Sequence, residues 1–185
     1  MDDHIIKLYT EYIKTTSSMA PSLKTLELLK NLCLPFCTVL DLGSGFSSYY
    51  LRYYSGQQNW GITTVDDNVD WLNKSKDYCN SHNTNINGFY TWDNIKNQYW
   101  LYDVVFMDLG ITKNRPKYIE TVLINFCSPK TLILFDDMHK PTIRQATEQA
   151  LSKYDYLEIG VKDQTMDEFG RYCKLVFRLR RKSID

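Results

Sequence analysis

Charge of one sign is not in excess in this chain. Its 185 residues contain 22 Lys and Arg against 22 Asp and Glu, so no global field draws it to nucleic acid or to an anionic membrane. Long hydrophobic runs are missing as well. The stretch from Leu32 to Leu40 is broken by Pro35 and Thr38, far short of the roughly 20 apolar residues of a membrane span. The opening Met-Asp-Asp-His has no basic n-region, so a soluble, unexported, cytoplasmic protein without a membrane partner is expected. The five cysteines (Cys33, Cys37, Cys79, Cys127 and Cys173) include no Cys-x-x-Cys pair. An odd number without that spacing argues against a disulfide framework and against a thiolate zinc site, and it fits a reducing compartment. No repeat, low-complexity tract or Gly/Pro/Ser linker divides residues 1–185, and a chain of this length supports one domain with a sizeable core.

What the sequence does contain is aromatic side chains, with 14 Tyr, 8 Phe and 4 Trp, and a 43% hydrophobic share beside 24% charged residues. That balance excludes disorder as the general state. Ile5, Leu8, Tyr9, Tyr12 and Ile13 recur at helical spacing, and Leu23, Leu26, Leu29 and Cys33 repeat the pattern after Pro21, so residues 1–37 read as two N-terminal helices. From Thr38 short apolar runs alternate with longer amphipathic segments, the mark of β-α-β units around a parallel sheet. Strands are expected at Thr38 to Leu42, Ile62 to Val65, Ile86 to Tyr90, Asp103 to Met107 and Leu132 to Phe135. Pro116 and Pro141 each suit the first turn of a helix that follows. The last two runs, Tyr154 to Val161 and Tyr172 to Leu179, have no helix-length apolar stripe between them. In the second, Cys173, Leu175, Phe177 and Leu179 alternate with Lys174, Arg178 and Arg180, as an antiparallel strand half exposed to water would.

The first strand runs into Asp41-Leu42-Gly43-Ser44-Gly45-Phe46-Ser47-Ser48. Glycines in a strand-to-helix turn let main-chain N–H groups approach a ligand closely, although a plain turn leaves the same mark. Position 48 is Ser rather than the third glycine of a dinucleotide fingerprint, which disfavours a nicotinamide cofactor. The second strand ends in Val65-Asp66-Asp67-Asn68, where a carboxylate can accept hydrogen bonds from both hydroxyls of a ribose; a helix N-cap at Asn68 is the competing reading.

In order and spacing, Val39 to Ser48, Asp66 and the strand Tyr102-Asp103-Val104-Val105-Phe106-Met107-Asp108 resemble class I S-adenosylmethionine-dependent methyltransferases. The resemblance spans Thr38 to Arg180. It implies an α/β, Rossmann-like seven-stranded sheet over residues 38–185, in the order 3-2-1-4-5-7-6 with the last strand antiparallel and helices on both faces. It further implies that Asp41, Gly43, Ser44 and Gly45 surround the methionine part of S-adenosyl-L-methionine, that Asp66 with neighbouring Asp67 holds the ribose, and that Trp92 and Asp93 contact adenine. The Asn/Asp-Pro-Pro-aromatic motif of transferases acting on bases is absent after the fourth strand, where Asp108-Leu109-Gly110-Ile111 stands, so a nucleic-acid partner is disfavoured.

Asp108 and the run Asp136-Asp137-Met138-His139 follow strands expected to be neighbours, so three carboxylates would converge outside their carboxyl ends. Such crowding needs protons, hydrogen bonds or a cation to offset it, and hard oxygen ligands suit Mg2+ or another divalent ion. The cluster is similar to that of the divalent-metal O-methyltransferases of the catechol type, with Asp137 where that family has Asn. The alternative is a metal-free cluster in which Asp108 lines the cofactor site and Asp136 and Asp137 cap the next helix. His139 is the nearest candidate base, with Lys140 a second choice. Lys113, Arg115 and Lys117 read as a solvated charge run.

The expected function is therefore methyl transfer to an oxygen of a small-molecule substrate, with Asp108, Asp136 and Asp137 holding a metal, Asp108 also lining the cofactor site, and His139 assisting deprotonation. Substrate cover would come from the N-terminal helices, the loop from Gly110 to Pro116, or a second subunit of a homo-oligomer. Two other classes stay open: a metal-free transferase of the same fold, such as an aminopropyl transferase, and a non-catalytic nucleoside-binding domain with a protein partner.

Overall fold

The computed structural model of the chain describes residues 2–16, 20–111 and 113–182, with Arg178 described in its backbone alone. The element order is α1 (Asp3–Thr16), α2 (Leu23–Leu32), β1 (Thr38–Leu42), α3 (Phe46–Gln58), β2 (Gly61–Asp66), α4 (Val69–Ser81), β3 (Phe89–Thr91), α5 (Trp92–Ile95), β4 (Val104–Met107), α6 (Pro116–Asn125), β5 (Leu132–Phe135), α7 (Pro141–Leu151), β6 (Tyr154–Ile159), α8 (Lys162–Thr165) and β7 (Lys174–Arg181). The strands form one sheet in the order β3-β2-β1-β4-β5-β7-β6. β1 to β5 pair in parallel, whereas β7 runs antiparallel to both β5 and β6.

The central strands are buried on both faces, which is why they read as continuous apolar runs. Leu40, Leu42, Val105, Met107, Ile133 and Phe135 pack with Ile119, Val122, Leu123 and Leu151 of α6 and α7. Val39, Val104, Phe106, Leu134 and Leu175 face the other way, against Leu29 of α2 and Leu51 of α3. A third cluster joins Ile5, Leu8, Tyr9 and Tyr12 of α1 to Phe46, Tyr49 and Tyr50 of α3. The aromatic surplus of the sequence is largely spent there, in tilted and edge-on rings such as Tyr9–Phe46 at 5.2 Å and Tyr12–Tyr78 at 4.9 Å.

β3 begins at Phe89 rather than Ile86. Gly88 has φ +74°, and a Cβ there would stand 2.5 Å from the main-chain oxygen of Ile62, so the chain bends against β2 before it can pair. Ile86 packs instead on the cluster around α1 and α3. In β7, Leu175, Val176 and Leu179 are buried while Arg180 is exposed; the expected outward side chain of Arg178 lies outside the described residues. No helix among the described residues is long and apolar enough to cross a membrane.

Candidate active site

The turn after β1 is fixed by close backbone approach. Gly43 has φ +102°, and a Cβ on it would lie 2.5 Å from the main-chain oxygen of Asp108, so only glycine fits where the tips of β1 and β4 meet. Gly43 N–H donates to Val65 O at 2.8 Å, and Asp108 N–H to Leu42 O at 2.7 Å. These bonds extend the sheet past its last paired residues and hold the turn level with the tips of β2 and β4. The ideal Cβ position of Gly45 is 3.6 Å from Tyr12 Oη and 3.9 Å from Trp71 Nε1. All three residues line a cleft of about 890 Å³, a size typical of small-molecule and cofactor sites, which run from roughly 300 to 1,000 Å³.

Gly43, Ser44 and Gly45 form one wall of the cleft, Asp66, Asp67 and Asn68 the next, and Asp108, Gly110, Ile111, Asn114, Arg115, Asp137 and Lys140 the opposite side. Tyr12, Thr16, Ala20 and Pro21 cover it from the N-terminal region. Both of the cover elements expected within the chain thus reach the cleft; Thr112 of the second lies outside the described residues.

Asp66 is 5% exposed, and its Oδ2 accepts from Ser44 N–H at 2.7 Å and from Ser44 Oγ at 2.8 Å. Its Oδ1 accepts from Asn68 N–H at 2.9 Å. Burial raises its pKa, and these donors oppose the rise. Asp67 is exposed, and its Oδ2 accepts from Tyr118 Oη at 2.7 Å. Asn68 does cap α4, accepting from the N–H groups of Asp70 and Trp71, so the N-cap and the paired carboxylates occupy neighbouring positions. Trp71 adds a further clamp, its Nε1–H donating to Ser44 O at 2.6 Å.

Asp41 is not part of the cleft wall. Alternation along β1 places it on the face of Val39, under the first turn of α3, where it is fully buried. There it accepts from Ser47 Oγ at 2.9 Å, Ser48 Oγ at 2.6 Å and Thr64 Oγ1 at 3.1 Å. Burial pushes its pKa up to about 6, opposed first by the Ser48 and Ser47 hydroxyls and then by Arg52. It ties the first turn of α3, which follows the glycine turn, to β1 and β2.

Trp92 and Asp93 lie outside the cleft. Trp92 is buried in the core, its ring 4.9 Å from Tyr118 and 6.3 Å from Phe126, because the first turn of α5 directs it onto α6. The Asp93 side chain is 80% exposed and pairs with Lys96 at 2.7 Å.

The acidic cluster also differs from expectation. Its compensating charge comes from within the chain: Arg115 Nη2 lies 2.6 Å from Asp108 Oδ1, Arg115 Nη1 lies 3.1 Å from Asp137 Oδ2, and Lys140 Nζ lies 2.7 Å from the same Asp137 oxygen. Arg115 is 5% exposed, and its guanidinium also donates to Asp108 O and Gly110 O. Asp136 turns away to accept from Cys173 Sγ and from Asp137 N–H. Among the described residues no group of three or more His, Cys, Asp or Glu is arranged to hold a metal ion. The three carboxylates do not fit a divalent cation, because a guanidinium fills the space between two of them. Arg115, read in the sequence as part of a solvated run, is the residue that was missed.

Burial raises the pKa of Asp108, with Arg115 opposing and Asp136 and Asp137 adding to the rise; the neighbouring carboxylates raise that of Arg115 against its own desolvation. His139 does not line the cleft, and its Nδ1 lies 3.7 Å from Asp137 Oδ1. Lys140 does line it, held as the partner of Asp137.

The sequence matches no protein-family model and no curated protein. Solved structures with the same fold are plentiful. A Staphylococcus aureus protein assigned as a caffeoyl-CoA O-methyltransferase aligns over 95% of this chain and 93% of its own, with TM-score 0.62 and 12% identity. The precorrin-6y C5,15-methyltransferase of Geobacter metallireducens aligns over 90% and 96%, with TM-score 0.56 and 16% identity. The ribosomal protein L11 methylase of Lactobacillus delbrueckii subsp. bulgaricus aligns over 86% and 78%, with TM-score 0.57 and 12% identity. The chain therefore has the Rossmann-like fold of these methyltransferases, whose acceptors differ widely.

Proposed function

We propose that this chain is an S-adenosyl-L-methionine-dependent methyltransferase whose acceptor is an oxygen of a small molecule. One observation supports this most: the glycine turn 43–45 and the paired carboxylates Asp66 and Asp67 meet on a single open cleft at the carboxyl ends of β1, β2 and β4, where open α/β sheets bind their ligands. The lack of a side chain at Gly45, beside Tyr12 and Trp71, leaves a cradle that a nucleoside-linked chain can fill.

When bound, the sulfonium of the cofactor supplies an electrophilic methyl group. The residues of the chain supply placement. The turn and the β2 carboxylates hold the donor, while α1 and the loop between Gly110 and Arg115 confine the acceptor, so that alignment does most of the work. Asp108, which lines the cleft at the tip of β4 and pairs with Arg115, is the carboxylate assigned to take the acceptor's proton. No step calls for a divalent ion.

The test is calorimetric titration of the full chain with S-adenosyl-L-methionine, followed by detection of S-adenosylhomocysteine with candidate hydroxyl acceptors. Saturable binding with turnover is expected. Absence of binding removes the proposal, and binding without turnover against a broad acceptor panel favours a nucleoside-binding domain.

A further inference from the structure

Away from the cleft, two of the five free cysteines stand together. Cys33 caps the carboxyl end of α2 in an extended conformation, its N–H donating to Lys30 O at 3.2 Å, and Cys37 immediately precedes β1. The chain between them doubles back. Cys37 N–H donates to Leu34 O at 3.2 Å, and Phe36, at φ +65°, donates its N–H to Gln58 O at 3.0 Å. Gly61 N–H on Cys37 O at 3.0 Å ties this turn to β2. Leu34 and Phe36 are exposed, whereas both cysteines are buried in one apolar cluster with Leu29, Val39 and Trp60.

The two thiols are hydrogen-bonded to each other. The bond from Cys33 lowers the pKa of Cys37 against the effect of burial, while the same bond and burial raise that of Cys33. Cys37 is thereby the readier thiolate, and the thiolate is the nucleophile in sulfur oxidation. Cys33 lines a second cavity of about 380 Å³ together with Lys30, Tyr54, Gln57 and Trp60, which gives a small polar oxidant a path to an otherwise covered pair. The remaining cysteines are set apart: Cys173 is held by Thr25 and Asp136, and Cys79 and Cys127 belong to other clusters.

We propose that Cys33 and Cys37 form a redox-modification site, joined in a reversible disulfide when the chain meets hydrogen peroxide. The Cys37 thiolate attacks one peroxide oxygen; an S–O bond forms, the O–O bond breaks, and the departing hydroxide takes up the proton that Cys37 had released. The Cys33 sulfur then attacks the sulfenic sulfur of Cys37. The S–S bond forms, the S–O bond breaks, and the hydroxyl leaves with the Cys33 proton as a second water. Two thiols are oxidised and one peroxide is reduced to two waters. The bond clamps the end of α2 to the start of β1, and it is independent of the cofactor reading above.

The test treats the full chain with a few equivalents of hydrogen peroxide, labels it with N-ethylmaleimide, cleaves it with trypsin and weighs the peptides. Asn31 to Arg52 holds both cysteines with no Lys or Arg between. This peptide is expected to become two hydrogens lighter and to lose both maleimides together, at least about ten-fold faster than Cys79, Cys127 or Cys173 lose theirs. Dithiothreitol is expected to restore both. In Cys33→Ser, dimedone is expected to trap Cys37 as its sulfenic acid, and in Cys37→Ser, Cys33 keeps its maleimide; an adduct at Cys33 alone overturns the order of attack. The site itself is overturned if the peptide keeps both maleimides, if its cysteines are recovered as sulfinic acids or joined to a second chain, or if the other three thiols react as fast. These readings come from the wild-type masses, so they decide the proposal even where a serine variant fails to fold.

Discussion

Arg115 Nη2 lies 2.6 Å from Asp108 Oδ1, with both side chains largely withdrawn from water at 6% and 18% exposure. The same guanidinium reaches Asp137, so one cation from the start of α6 neutralises carboxylates at the tips of β4 and β5. Buried pairs of this kind contribute modestly when intact, and breaking them is costly because the partner is left charged and dry. Arg115→Met is expected to destabilise the fold by about 3–5 kcal/mol, measured by urea denaturation. Adding Asp108→Asn to it is expected to recover part of that loss, since one of the stranded charges disappears.

Metal dependence follows from the same pair. With the space between Asp108 and Asp137 taken by Arg115, methyl transfer is expected to be unchanged, within about two-fold, by EDTA and by added Mg2+, read as S-adenosylhomocysteine formed per minute. A loss of activity on chelation that Mg2+ restores would show the ion to be required.

At Gly43 the fold tolerates no side chain. Gly43→Ala places a methyl group 2.5 Å from Asp108 O at a φ of +102°, which combines steric overlap with backbone strain of about 1–3 kcal/mol. Loss of S-adenosylhomocysteine binding together with a fall of several degrees in melting temperature is expected. Gly45→Ala meets nothing closer than 3.6 Å, so its effect is expected to fall on ligand affinity with the melting temperature nearly unchanged.

Asp41 makes stability depend on pH in an unusual direction. Its folded pKa of about 6 lies above the ordinary 3.8, so between these values the native state holds the proton more tightly than the unfolded chain. Its contribution is therefore fully present below about pH 4 and is lost as pH rises through 6. Asp41→Asn removes this titration. The melting temperature of the variant relative to the wild type is expected to be higher at pH 7.5 than at pH 4.5, and a difference constant with pH would refute the assignment.

Much of the sheet could be read from the chain. β1 and β5 lie where their apolar runs placed them, since strands buried on both faces leave a continuous signal. Pro116 and Pro141 open α6 and α7 as their fixed φ suits. The glycine turn, Asp66, Asp67 and Asp108 came to one cleft because they follow neighbouring strand tips. What could not be read depended on side-chain direction. Arg115 sits in the polar run Lys113-Asn114-Arg115, and nothing in that run tells a buried guanidinium from a solvated one; only the fold turns it back to β4. Trp92 begins a short helix whose path sends it into the core. Asp41 was legible in principle, since period-two alternation already set it on the face of Val39 beneath the serines of α3.

The contact between Gly43 and the backbone of Asp108 makes the donor wall and the floor of the cleft one rigid casting, continuous with the sheet. Under the proposed function, choice of acceptor falls to pieces mounted on that casting, α1 and the segment leading into α6. Grafting those two segments from a protein of the same fold is a route to a new substrate that leaves the frame beneath intact.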